Sequence, residues 1–326
     1  MPRPIDIAMG EDRPEKRVIR ELWLEKAAEL DQEFPDDQVP LYLTLSGAEG
    51  RDIELFAQKN LIELTEVGGI AEESQKRVVA VERNATAVLT LQRKYPGLKI
   101  LEQDLQNLLR GGNPIRYPES REDVRCFRAR IVNLDFDISL GVREHHGNFD
   151  HPVLIWVEKI CQIHTGLSNT QPRLDWCLFL TLNANISWPE RASNKAIRLV
   201  QDNFGLSPDF EAQCREVLGD EFHQEMISDG TLDLSSDALS NDIRQKFLMT
   251  FVPKKIAQIV YAKGWRVKTV RNLRYGGQGG QAPMVTWMFA FIGDDSAPNE
   301  AYRENLQGIL SSAGYVTENG EIEPFR

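Results

Sequence analysis

Four apolar stretches in the first half of the chain each end in residues able to grip a polar ligand. Val39–Leu45 runs into Ser46-Gly47-Ala48-Glu49-Gly50; Arg77–Val81 ends at Glu82; Leu98–Gln103 ends at Asp104; and Phe127–Phe136 carries Asn133 and Asp135 before closing at Asp137. A glycine turn that opens a helix presents unpaired backbone N–H groups, which suit an anion or a polar cofactor. Ser46, Gly47, Glu49 and Gly50 are therefore candidate contacts. Glu82 is placed to accept both hydroxyls of a ribose, and Asp104 to accept from an adenine amino group. Each also has a plainer reading: the glycines as a tight turn, the acids as caps of the helices that follow, with Asn84 equally able to cap after Glu82. Asp135 and Asp137 share a face of their strand by its two-residue alternation. They can orient an acceptor N–H or O–H or take its proton, with Asn133 behind them.

Two further groups lie later in the chain. The stretch Glu144–His151 holds three of the five histidines, among them His145 and His146 as candidate substrate contacts. It reads as a polar rim loop, because a metal site needs more converging ligands than this loop offers. Between Pro253 and Gly293 the charged residues are Lys254, Lys255, Lys263, Arg266, Lys268, Arg271 and Arg274, with no acid among them. Against a whole-chain charge of -11, this +7 segment leaves -18 elsewhere. Such a split reads as one functional patch on an acidic body. Arg271, Arg274 and Tyr275, beside exposed glycines, suit phosphate contact and base stacking. A solvated strand face is the competing reading.

These residues need a scaffold that brings strand ends together. Residues 14–34 read as an amphipathic helix with Val18, Leu22, Leu24, Ala28 and Leu30 on one side. Strands are expected at 39–45, 77–82, 98–104, 127–137 and 175–183, with helices at 51–62, 85–95 and 151–164. That alternation gives a mostly parallel sheet with helices on both faces. Residues 190–250 lack strand signals and read as short helices. A helix from Pro253 to Lys263 precedes two strands, 265–275 and 284–292, whose short Gly/Gln turn forces an antiparallel pair. The stretch after Asp294 is expected to add one helix and a loose end. The domain plan is a helical extension over 1–38, a core over 39–185, a helical insertion or cap over 186–252, the last helix and hairpin over 253–293, and a tail over 294–326.

At 41% apolar and 27% charged residues the composition is that of a globular chain. No apolar run reaches the roughly 18 residues that cross a bilayer. The opening MPRPIDIAMGEDRP lacks an apolar core of signal-peptide type, and the four cysteines are scattered without a Cys-x-x-Cys pair. A cytoplasmic location with reduced, buried thiols is expected. The net negative charge argues against a surface that is basic all over.

The order glycine turn, strand-acid, strand-acid, strand-acid, strand and terminal antiparallel hairpin resembles the class I (Rossmann-like) S-adenosylmethionine-dependent methyltransferases. The resemblance spans roughly 40–183 and 253–293. It implies an α/β, Rossmann-like sheet with S-adenosyl-L-methionine as cofactor. It also implies that LTLSGAEG (Leu43–Gly50) holds the methionine part, Glu82 the ribose and Asp104 the adenine, while Asn133–Asp137 faces the substrate. The turn has two glycines where the family has three, and NLDFD lacks an Asn/Asp-Pro-Pro-aromatic motif, leaving the methylated atom open. The expected activity is methyl transfer to RNA or another nucleic acid. The alternatives are a small-molecule or protein acceptor and a non-catalytic nucleotide-binding or assembly subunit. A nicotinamide dehydrogenase fits less well, because Gly-x-Gly-x-x-Gly is absent.

Overall fold

A computed structural model describes residues 13–33, 39–110, 122–166, 174–227, 233–234, 236, 239–261, 263–277, 281–293 and 308–324. Two units divide the chain: Met1–Asn133 with Val316–Glu321, and Leu134–Tyr315 with Ile322–Arg326. The strand Ile131–Ser139 contributes to both.

The first unit opens with helix α1 (Pro14–Glu33). Its buried stripe is Ile19, Trp23, Leu24, Ala27 and Leu30. Of the expected stripe, Leu24 and Leu30 are buried, while Val18, Leu22 and Ala28 are half-buried and Ile19, Trp23 and Ala27 take their places in the core. Strands β1 (Tyr42–Thr44), β2 (Val78–Val81), β3 (Lys99–Leu101) and the start of β4 (Ile131–Ser139) lie in the order β3-β2-β1-β4. All pair in parallel, with Thr44 opposite both Ala80 and Asn133, and Val81 opposite Leu101. Both β1 and β2 are buried at every residue, as the continuous apolar runs of a covered parallel sheet require. Helices α2 (Arg51–Gln58), α3 (Ala85–Lys94) and α4 (Leu105–Arg110) follow β1, β2 and β3.

In the second unit, β4 continues beside β7 (Trp176–Asn183). Between them in sequence lie a small hairpin, β5 (Arg143–His145) and β6 (Asn148–Asp150), and helix α5 (Pro152–Gly166). Helices α6 (Glu190–Leu206), α7 (Pro208–Leu218) and α8 (Asp220–Ile227) fill the expected strandless region. Helix α9 (Asn241–Tyr261) precedes β8 (Trp265–Tyr275) and β9 (Met284–Gly293), and the last strands are β10 (Ala313–Val316) and β11 (Ile322–Pro324). The order is β4-β7-β9-β8-β10-β11. Strand β9 runs antiparallel to both β7 and β8, which is the expected terminal hairpin, and β10 runs parallel to β8. The fold is thus α/β with a mostly parallel, Rossmann-like sheet. Its core in this unit includes Trp176, stacked on Phe291 of β9 (4.0 Å) and on His164 of α5 (4.2 Å).

Three elements depart from expectation. Strands β10 and β11 occupy a stretch expected to hold only a helix and a loose end. Helix α9 begins at Asn241, twelve residues before Pro253, which lies inside it. A proline inside a helix leaves the carbonyl four residues earlier without its donor, here that of Met249. The side-chain amide of Asn272 on β8, fully buried, donates to that carbonyl at 2.8 Å. A neighbouring strand thereby completes the helix that proline interrupts. No described helix is long and apolar enough to cross a membrane.

Candidate functional site

The chain leaves β1, visits β2 and β3 on one side, then returns to β4 on the other. This reversal is where open α/β sheets place ligands, outside the carboxyl ends of their strands. Ser46 follows β1 here, and Asn133 is the β4 residue opposite Thr44. The turn after β1 is tight: Gly47 has φ +57° and Gly50 φ +56°, both in the left-handed region. Gly50 caps the start of α2. A Cβ there would sit 2.8 Å from the Tyr95 ring and 2.9 Å from Leu91, so only glycine fits. At Gly47 nothing lies within 4 Å of the same position. The first glycine leaves space over the turn, and the second packs the helix. Gly50→Ala is expected to cost about 2–4 kcal/mol in urea unfolding, from left-handed strain plus overpacking. An unchanged midpoint would show that Tyr95 and Leu91 yield freely.

Beneath this turn lies a polar cluster that sequence reading missed. The Asp52 carboxylate accepts from Tyr42 Oη (2.9 Å), Thr44 Oγ1 (2.9 Å) and Asn133 Nδ2 (3.1 Å), while Arg20 Nε stands 3.4 Å from its other oxygen. Asn133 Nδ2 also donates to Tyr42 Oη at 2.7 Å. Burial first, and then the Asp52 charge, raises the Tyr42 phenol well above its ordinary value, so it stays a donor. The signal for this cluster was the alternation of Tyr42 and Thr44 along β1, with an acid in the first turn of the next helix. Asn133 Oδ1 and Ser46 Oγ are buried without hydrogen-bond partners among the described residues. Buried polar atoms are nearly always paired, and an orphan asks for a ligand or a water. One of these can donate and the other only accept.

The remaining candidates of the first unit divide. Glu49 is exposed, and its carbonyl accepts from Lys94 Nζ at 2.8 Å. Glu82 is half-buried; its Oε1 accepts from the Asn84 amide (2.8 Å), while Asn84 itself caps α3. Asp104 follows its plainer reading more closely. One of its oxygens accepts from Gln106 N (2.8 Å) at the start of α4, and the other lies 3.3 Å from Arg83. Glu82 and Asp104 are neighbours: Glu82 N donates to Leu101 O at 3.1 Å, and Arg83 reaches Asp104. Asn133 is corrected from a residue behind an acceptor to a buried member of the Asp52 cluster.

In the second unit Asp135 is half-buried and Asp137 exposed on β4. His145 and His146 are exposed, with ring centroids 4.2 Å apart. They belong to the β5–β6 hairpin rather than to a loop. Positive φ at His146 (+50°) and Gly147 (+76°) makes its turn type I′, the form that matches strand twist. His-Gly is a rarer carrier of that turn than Asn-Gly, so the sequence hid it. Among the described residues no cluster of His, Cys, Asp or Glu could hold a metal ion.

The basic segment is not one patch. Of its seven cations only Lys268 and Arg271 are exposed. Lys254 is 1% exposed, and Lys263 pairs with Glu158 at 3.0 Å. Arg274 pairs with Asp242 on α9. Burial works against the Asp242 carboxylate, but bonds from Lys246 and Arg274 outweigh it and hold the group below its ordinary range. Tyr275 is corrected outright as a stacking residue. It is 3% exposed, and its carbonyl accepts from Gln245 Nε2 at 2.9 Å. The turn residues Gln278–Gly280 lie outside the described residues. The four cysteines are buried, in keeping with the expectation of buried thiols.

No protein-family model matches the chain, and no curated protein matches it in sequence.

Proposed function

We propose that the protein is an S-adenosylmethionine-dependent methyltransferase of the cytoplasm. The observation that carries this reading is the pair of unmet buried atoms, Ser46 Oγ and Asn133 Oδ1, at the strand reversal beside an open glycine turn. A donor and an acceptor so placed suit an amino-acid end, with its carboxylate and its amine. The N–H groups opening α2 would add to the hold on the carboxylate. Glu82 keeps one carboxylate oxygen for a ribose beyond the one that holds Asn84. Asp104, already engaged twice, keeps further lone pairs with which to accept from an adenine amino group. The strand order supports the reading too: β3-β2-β1-β4 in the first unit, then β7-β9-β8 with β9 reversed in the second.

Bound S-adenosylmethionine would supply a methyl group already activated as a sulfonium. What is left for the chain is alignment of the acceptor. Asp135 and Asp137 are the groups for that task, by accepting from its N–H or O–H. RNA or another nucleic acid is one acceptor class, with Arg271 as the exposed phosphate contact. The dispersal of the other cations favours a second class, a small molecule or a protein.

Titration calorimetry with S-adenosylmethionine tests the cofactor. Binding to the wild type is expected, weakened about 10–100-fold in Glu82→Ala by loss of a charge-assisted hydrogen bond. A wild type that binds nothing, or a variant that binds equally well, sinks the assignment. Radiolabelled methyl transfer to total cellular RNA, DNA, protein and metabolite fractions then separates the acceptor classes.

A further inference from the structure

His151 stands at the first residue before α5 and is held on several sides. Its Nδ1 lies 3.2 Å from the carbonyl of Gly141, just past β4. A carbonyl only accepts, so in the neutral ring Nδ1 carries the proton and Nε2 the lone pair. The ring packs against Trp188 (centroids 4.7 Å apart) and Phe251 (5.3 Å). Trp188, five residues past the end of β7, donates Nε1 to the Leu140 carbonyl at 2.6 Å. Histidine and tryptophan thus fix two successive carbonyls beyond β4, at the carboxyl ends of β4 and β7 where such sheets meet their substrates. The residue is only 8% exposed. Only Nδ1 of the ring is hydrogen-bonded among the described residues, and Nε2 has no partner there.

We propose that His151 is a substrate-contacting residue whose Nε2 accepts a hydrogen bond from an N–H or O–H of the methyl acceptor. This rests on the methyltransferase reading and deepens it. The site takes amines, amides or hydroxyls that carry a hydrogen, and it gives no such hold to a thioether or a tertiary amine. Burial pushes the ring down to about 4; the Gly141 bond opposes this, Lys255 adds to it and Asp150 opposes it. The lone pair on Nε2 is therefore present throughout the neutral range and is lost only as the pH falls through that value.

Two measurements test the proposal. Diethyl pyrocarbonate acylates unprotonated imidazole nitrogens. Peptide mass spectrometry after treatment near neutral pH is expected to find His151 labelled and His223, whose Nε2 is bonded to Glu211 at 2.8 Å, spared. In His151→Asn the side-chain amide can still donate to Gly141, while the Nε2 acceptor is gone. Its melting temperature and S-adenosylmethionine affinity are expected to match the wild type, with kcat down about 100-fold. His151→Gln, whose amide reaches the Nε2 position, is expected to recover part of that loss. Resistance of His151 to the reagent, wild-type turnover by the Asn variant, or equal losses in both variants would overturn the role while leaving the methyltransferase reading intact. A wild type that binds no S-adenosylmethionine and methylates none of the four cellular fractions overturns both.

Discussion

Asp52→Ala is expected to remove about 3–6 kcal/mol of folding stability. The carboxylate is the shared acceptor for Tyr42, Thr44 and Asn133 and the partner of Arg20. Deleting it strands buried donors, and each unsatisfied donor costs about 1–3 kcal/mol. Of these residues Tyr42, Thr44 and Asn133 are all 0% exposed, so water cannot replace the lost acceptor without opening the sheet. Urea unfolding followed by circular dichroism checks this. Asp52→Asn, which retains a carbonyl oxygen, should fall between the wild type and the alanine variant. A loss below about 1 kcal/mol for Asp52→Ala, the level of an exposed ion pair, would mean that the cluster rearranges around the gap.

The second large effect is a dependence of stability on alkali. Burial lowers the Lys254 amine from 10.5 to about 7. Between those values the unfolded chain binds more protons than the folded one, so stability rises with pH across the window and is lowest below pH 7. At about 1.4 kcal/mol per unit, the rise amounts to roughly 5 kcal/mol over the full window. Urea midpoints from about pH 7 to 10 should therefore climb in the wild type and flatten in Lys254→Met, whose side chain titrates nowhere in that range. Parallel curves for the two proteins would place the amine's titration elsewhere.

Much of the fold was legible because its strands are short apolar runs closed by glycine or acid. Val78–Val81 and Trp176–Asn183 are buried almost throughout and announce themselves by composition alone. The hairpin of β8 and β9 followed from two apolar-rich runs joined by a short Gly/Gln turn. What stayed hidden depended on contacts between distant residues. Pro253 reads locally as a helix start, and only Asn272, nineteen residues later, permits its place inside α9. The basic segment looked uniform because a charge count cannot distinguish Lys254, buried beside the Phe210 ring, from Lys268 at the surface. At the candidate site, the glycine turn and Glu82 were visible as strand endings. Asp52 and His151 were not, since their significance lies in what reaches them across the sheet: a tyrosine from β1, an asparagine from β4, and a carbonyl beyond β4.

The Asn272 bond to Met249 also bears on how the second unit assembles. Residues 241–261 cannot close their own backbone ladder, because the missing link is supplied from β8. The turn of α9 around Met249 is therefore tied to its docking on β8. Loosening β8 from α9 would fray this helix in the middle, away from its ends.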